Sequence, residues 1–265
     1  MNGSLIVRLS ALLVAAMSLG VGCSTVPETG RKQMNLYSSQ EEMQLGLTEF
    51  SKMKQEVPAS KDAAANAMVQ RVGKRIAAVA DLPGAQWEFV VFESPEANAF
   101  CLPGGKVGIY TGILPICKDD AGLAAVMGHE VAHAVARHGG ERMTQAQALS
   151  TVGQVGGALL GSTKYGNWAP LATQAYGVGA QLGVALPHSR AHEAEADEIG
   201  LLYMARAGYD PAAAVAFWQR FAEYNQSRGG ANTAWFLSTH PTDAARIAEL
   251  QKLLPKAEAE YRKGK

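Results

Sequence analysis

The chain has no excess of charge of either sign: 24 Lys and Arg stand against 24 Asp and Glu over 265 residues. No global field therefore draws it to nucleic acid or to an anionic surface. Nor does any basic stretch with interleaved aromatics supply a nucleic-acid footprint. Cysteine is scarce, with Cys23, Cys101 and Cys117 only, too few for a closed structural zinc site of the cysteine-rich kind. No long-period repeat is present, and no apolar run is long enough for a confident transmembrane span. What remains is an apolar-rich chain, 48% hydrophobic with 28 glycines, too apolar for disorder and long enough for one substantial core.

The first 22 residues stand apart. Arg8 is the only charged side chain before the run "ALLVAAMSLGVG", which ends at Cys23 and has the length of a secretory leader rather than of a membrane span. Gly22 before Cys23 resembles a bacterial lipoprotein cleavage box, although Gly20 stands three before the cysteine and Leu19 is one place too far upstream. Cleavage there would leave Cys23 acylated, and several acyl chains anchor stably where one does not. Ser24, where an inner-membrane lipoprotein would carry Asp, favours the periplasmic face of the outer membrane. In that oxidising compartment Cys101 and Cys117 either form a disulfide or pack as two buried thiols.

Residues 23–38 are polar, with Pro27 and Gly30 and no apolar period, and predict a lipidated tether. Ser39 with Glu42 three residues on predicts a capping box opening a helix. Ala64, Met68, Val72 and Ile76 share a face of a second helix. "QWEFVVFES" is strand-like, and "NAFCLPGGKVGIYTGIL" sets a Pro-Gly-Gly turn between two short strands. A helix follows from about Asp119 through His138, with Gly139-Gly140 as its stop. The Gly- and Ala-rich stretch 144–184 reads either as packed helices or as a loop over a cleft. "SRAHEAEADEIGLLYMARAG" is a helix ending at Gly208; another opens at Asp210-Pro211; a last one ends at Pro255, leaving a frayed tail at 256–265. The expectation is one α+β domain over 39–255, helix-dominated, with a small antiparallel sheet.

The chemistry lies in "HEVAH", His129 to His133. Positions i and i+4 share a helix face about 5–6 Å apart, so His129 and His133 can direct two imidazoles at one zinc ion. Glu130 sits beside the first ligand and is placed to accept a proton from a metal-bound water. Val126, Met127, Val131, Ala132, Ala134 and Val135 make this helix apolar nearly all round and hence buried. Burying two imidazoles and a carboxylate without a cation or partner is costly. A third ligand must come from farther along, because Gly139 stands where a nearby third histidine would be; His138 is rotated away and reads as core or support. "HSRAHEAEADEIG" offers His188, His192, Glu193, Glu195 and Glu198, and spacing alone does not choose Glu193 over Glu195. A helix through Glu193 also places Asp197 on its face, where a carboxylate could accept the N–H of a ligand imidazole.

HEVAH, "SRAHEAEAD" downstream, "NAFCLPGGKVGIYTG" upstream and "STHPTDAAR" near the end occur in an order that resembles the M48 family of zinc metallopeptidases, particularly its periplasmic lipoprotein branch. The resemblance implies a zincin-like, gluzincin-type endopeptidase domain with one Zn2+ per chain. It implies Glu193 as third ligand, Asp197 as its supporting carboxylate and Arg246 in a structural salt bridge. It also implies that the strand at Asn98, Ala99 and Phe100 is an edge to which an extended substrate adds by β-augmentation. Thr239-His240-Pro241 matches a family motif; His240 would either stabilise the oxyanion or reach the metal to hold the enzyme latent. The implied substrates are misfolded or unassembled envelope proteins, with envelope-assembly partners possible and membrane contact through the lipid anchor. The competing expectation is a chaperone-like or scaffolding outer-membrane lipoprotein with little proteolysis.

Overall fold

The computed structural model describes residues 22–180, 186–227 and 244–264. The leader and His240 with its Thr-His-Pro motif lie outside them.

The element order is β1 (Gly22–Thr25), β2 (Lys32–Asn35), α1 (Ser39–Glu56), α2 (Ala63–Ala77), β3 (Glu88–Phe92), β4 (Ala99–Leu102) and β5 (Lys106–Tyr110). A one-turn helix α3 (Leu114–Cys117) then leads into α4 (Asp120–Val135), α5 (His138–Gly161), α6 (Ala169–Ala180), α7 (Leu186–Arg206), α8 (Ala212–Ser227) and α9 (Ala244–Lys263). Local chemistry accounts for most starts. Ser38 caps α1 and Glu41 closes the box, one residue ahead of the predicted pair. The Asp62 carboxylate accepts from the N–H groups of Ala64 and Ala65 at the start of α2.

α4 is the axle. Every residue from Gly122 to Val135 is buried, enclosed by α2, β4, α7 and α8. β4 divides two apolar clusters: Ala99 and Cys101 face the main core around α4, while Phe100 and Leu102 face Phe50, Phe92 and Tyr110, as the two-residue period of a strand requires. The three-stranded sheet is mixed rather than wholly antiparallel. β4 and β5 form the predicted hairpin, with Gly104 and Gly105 at positive φ, but β3 runs parallel to β5 on its other side. Turn chemistry specifies only the hairpin; the partner of β3 is fixed by the apolar faces that it shares with α2.

Three boundaries differ from expectation. Residues 22–35 form an antiparallel hairpin rather than a tether; Val26 is fully buried, and the polar groups of Gln33 and Asn35 are buried as well. α4 ends not at Gly139-Gly140 but at Val135, and the chain turns at Arg137, which is in the left-handed region at φ 55. That conformation is held by its guanidinium on Glu42 and on the Tyr37 carbonyl. Gly140 lies inside α5, where a Cβ would stand 1.8 Å from Glu42 Oε1: its glycine allows a close approach, not a stop. Finally, α9 runs through Pro255 to Lys263. Burial of Ala257 and packing of Tyr261 outweigh the backbone bond that proline removes.

Candidate metal centre

α4 and α7 cross antiparallel at unusually short range. A Cβ on Gly128 would lie 2.8 Å from the Gly200 carbonyl oxygen, and one on Gly200 would lie 2.9 Å from the His129 nitrogen. With backbones in contact there, the residues of α7 on the face of Gly200, namely Asp197 and Glu193, meet His129 and His133 on α4.

His129 Nε2 lies 3.1 Å from His133 Nε2. Glu193 closes the triangle, with Oε2 3.3 Å from the first nitrogen and Oε1 3.2 Å from the second. Among the described residues these three form the group able to hold a metal ion. Zinc bonds of about 2.0–2.1 Å in tetrahedral geometry separate ligand atoms by about 3.3 Å, so the triangle has the required edge. The outer nitrogens make the same point. His129 Nδ1 lies 2.9 Å from Asp197 Oδ1 and His133 Nδ1 lies 2.8 Å from His138 Nδ1. Imidazoles that spend their N–H on those partners turn lone pairs towards a carboxylate, three electron-rich atoms in a dry site. Protonation could relieve that repulsion: hydrogen bonds with Asp197 and Glu193 overcome burial and raise His129 to about 9, while burial holds His133 well below its usual value. A cation relieves it without an added proton, so the donor set fits zinc.

The supporting layer has two wings. On one side Arg246 grips Asp197 with two bonds of 2.8 and 2.7 Å, reaches Glu193 Oε2 at 3.4 Å and lies over the Trp218 ring, 3.6 Å from its centroid. The expected salt-bridge residue thus abuts the centre and offsets the charge of two buried carboxylates. On the other side His138 Nε2 pairs with Glu195 at 2.9 Å and His192 Nε2 with Glu141 at 3.0 Å, the two rings stacked 4.2 Å apart. Arg31 of the β1–β2 hairpin closes this wing, bonding Glu195 at 2.7 Å and Glu141 at 3.0 and 2.8 Å, and Thr29 donates to Glu195. Burial works against the Glu195 charge, but His138, Thr29 and Arg31 hold its carboxyl down at about 2. Thr29, Arg31 and Trp218 were not singled out by sequence reasoning. Arg31 sits in a stretch that reads as linker, more than a hundred residues from its partners, and leaves no local signal.

Glu130 is buried on α4, a helix that packs against β4, and its negative charge raises the pKa of Cys101 on that strand and of Arg246. Asn98, Ala99 and Phe100 are placed as follows: Asn98 precedes β4 and accepts from the Tyr110 N–H, Ala99 faces α4, and Phe100 packs into the aromatic cluster. Among the described residues β4 pairs only with β5, and no strand pairs with its other edge. Cys101 and Cys117 are separate free thiols, both pushed far up by burial and so unreactive. Cys23 is exposed in β1.

The family model of Peptidase family M48 matches residues 63–254. The chain is 42% identical over 190 residues to the mitochondrial metalloendopeptidase OMA1 of Schizosaccharomyces pombe, covering 72% of this chain and 53% of that protein. It is 31% identical over 246 residues to the human metalloendopeptidase OMA1, covering 87% and 46%. It is 28% identical over 254 residues to the β-barrel assembly-enhancing protease of Escherichia coli K12, covering 91% and 51%. The chain thus spans about half the length of these curated relatives.

Proposed function

Because the chain belongs to peptidase family M48, we propose that it is a metalloendopeptidase that cleaves misfolded or unassembled proteins of a bacterial cell envelope as a quality-control protease. It would work from a lipid anchor at Cys23 on the periplasmic face of the outer membrane. The observation that carries the catalytic part is the triangle of His129, His133 and Glu193, whose spacing suits one zinc ion. The envelope part draws on the leader-like first 22 residues and on the Escherichia coli relative, whose name ties that protein to β-barrel assembly.

Zinc held by these three side chains would supply a Lewis acid that polarises the scissile carbonyl and makes water acidic near neutral pH. The protein's own residues do the rest. An extended peptide adding to the edge of β4 away from β5 presents its backbone beside Glu130. Glu130 takes the proton of the attacking water and delivers it to the departing amine. Asp197 fixes the His129 ring and Arg246 fixes Asp197, so that neither moves as charge develops. Recognition through an edge strand reads backbone more than side chains, which suits unfolded substrates of varied sequence.

The test is Glu130→Gln. The variant should retain its metal by elemental analysis and lose cleavage of an unfolded substrate such as casein by roughly a hundredfold or more. Undiminished cleavage overturns the assignment. A wild-type protein that cleaves nothing, with the variant fully replacing it in cells, would establish a scaffolding lipoprotein instead. Anchoring is read separately: Cys23→Ser should move the protein from the membrane to the soluble periplasmic fraction.

A further inference from the structure

α5 and α6 form a helical hairpin that leaves the domain. α5 is buried at His138, Gly140, Glu141 and Thr144 and nowhere beyond, and the chief packing of α6 is on α5. This pair is built inside out. Gly153 and Gly157 face inward, where a Cβ would stand 3.2 Å from Tyr176 Cε1 and 2.9 Å from Thr173 Oγ1. Large apolar residues face away: Val152 is 58% exposed, Val155 52%, Leu159 60%, Leu171 56% and Trp168 62%. In water the arrangement is normally reversed, whereas helices in lipid pack through small residues and turn their large ones outward. Charge is almost absent too. Between Arg142 and Arg190 the only Asp, Glu, Lys or Arg is Lys164, at the turn beside Tyr165 and Trp168. The outward side of α5 is nonetheless two-faced: Val152, Val155 and Leu159 recur at i, i+3 and i+7, and exposed Gln147, Ser150 and Gln154 recur likewise on the opposite side.

Where the chain enters the domain says what covers this surface. β2 runs alongside α5 and in its direction: Arg31 meets Glu141, the Leu36 N–H meets Thr144 and the Tyr37 hydroxyl meets Gln147. β1 is antiparallel to β2, with Gly22 opposite Asn35 and Cys23 opposite Met34. The start of β1 therefore points the way α5 projects, at the level where α5 becomes exposed. The apolar run "ALLVAAMSLGVG" ends there, and any acyl chain on Cys23 would begin there.

We propose that the α5–α6 hairpin lies along a lipid surface, with Val152, Val155, Leu159, Leu171 and Trp168 at the boundary of headgroups and acyl chains. No described helix is long and apolar enough to cross a membrane, so the contact is interfacial. Trp168 and Tyr165 then take the level that amphipathic aromatics prefer, and Lys164 reaches the lipid phosphates. The hairpin and the N-terminal attachment become two contacts on one membrane, which fix the orientation of the metal centre. This rests on the membrane location proposed above but not on acylation or on peptidase activity.

The test uses full-length protein reconstituted with vesicles of phosphatidylethanolamine and phosphatidylglycerol whose acyl chains are brominated near the carbonyl end. Bromine should quench part of the tryptophan emission, and Trp168→Phe should remove most of that quenchable part. Val155→Ser with Leu159→Ser, both on the exposed face, should reduce it as well. Equal quenching in wild type and Trp168→Phe overturns the proposal, as does none in either. So does a Trp168 emission that shifts with protein concentration and ignores bromine, which would assign the face to a second copy of the chain. Casein cleavage and Cys23→Ser fractionation of the same preparations report the catalytic and anchoring readings independently.

Discussion

α4 and α5 follow one another along the chain, both rich in Ala, Gly and Val, and each packs closely on a second helix. Yet α4 is buried from Gly122 to Val135, whereas no residue of α5 beyond Thr144 is buried. The difference lies in what glycine does at each crossing. Gly128 and Gly200 bring α4 and α7 together inside a ring of other elements, so polar side chains carried past that contact are forced into a dry space and must find one another or a cation. Gly153 and Gly157 bring α5 and α6 together with little else around them, so the large apolar residues have only the outside to face. One crossing makes a metal centre; the other makes a surface.

The comparison breaks most sharply at Gly128. Gly128→Ala places a methyl group 2.8 Å from the Gly200 carbonyl, and backbone cannot step aside as a side-chain end can. Overpacking of this kind costs about 1–3 kcal/mol. Because Glu193 rides on α7, separation of the helices should also pull the third donor off the triangle. The expected outcome is a lower Tm together with a weakened metal affinity in a chelator competition. Unchanged affinity would mean that the crossing does not position Glu193.

A second variant reaches the centre from the far end of the buried wing. Arg31 reaches the centre through a relay: it holds Glu195, which holds His138, which meets His133 Nδ1. Arg31→Ala should weaken zinc binding by roughly 10–100-fold, the usual cost of losing a supporting partner of a ligand, and Arg31→Lys should restore part of it. Loss of stability alone, with zinc affinity intact, would make the clamp purely structural.

Acid probes the same wing. Burial lowers His138 and His192 below the usual histidine value. With folded values depressed, the unfolded chain binds more protons than the native one just below pH 6.5, so stability falls as pH falls through that window. Each histidine contributes at most about 1.4 kcal/mol per pH unit. Tm should therefore drop on acidification from pH 6.5, and less steeply in His192→Gln.

These residues also show what could be read from the chain alone. The HEVAH pair was legible because both imidazoles sit on one helix at fixed spacing. The choice between Glu193 and Glu195 was not, since two residues on a helix differ by about 200° and the side facing α4 is a tertiary fact. A clue was present: Glu193, Asp197 and Gly200 share one face, and glycine marks where a backbone approaches closely, while His192 and Glu195 share another. The β1–β2 hairpin was missed because its strands are four residues long and its strongest bonds reach Glu141 and Glu195, far along the chain. Pro255 was taken for a stop because local rules weigh a missing hydrogen bond and do not see the burial of Ala257.

The smallest expected effect sharpens the contrast from the other side. At Gly156 in α5 an added Cβ would meet nothing within 4 Å. Gly156→Ala therefore inserts no clash, reduces the freedom of the unfolded chain and improves helix propensity, a gain of roughly 0.5–1 kcal/mol. The substitution that damages α4 at Gly128 should thus stabilise α5 at Gly156, read as a Tm rise of a few degrees at most with zinc affinity unchanged. A Tm that falls instead would show that Gly156 is covered in the folded protein, by a second copy or by part of this chain, and that the outward face of the hairpin is not open.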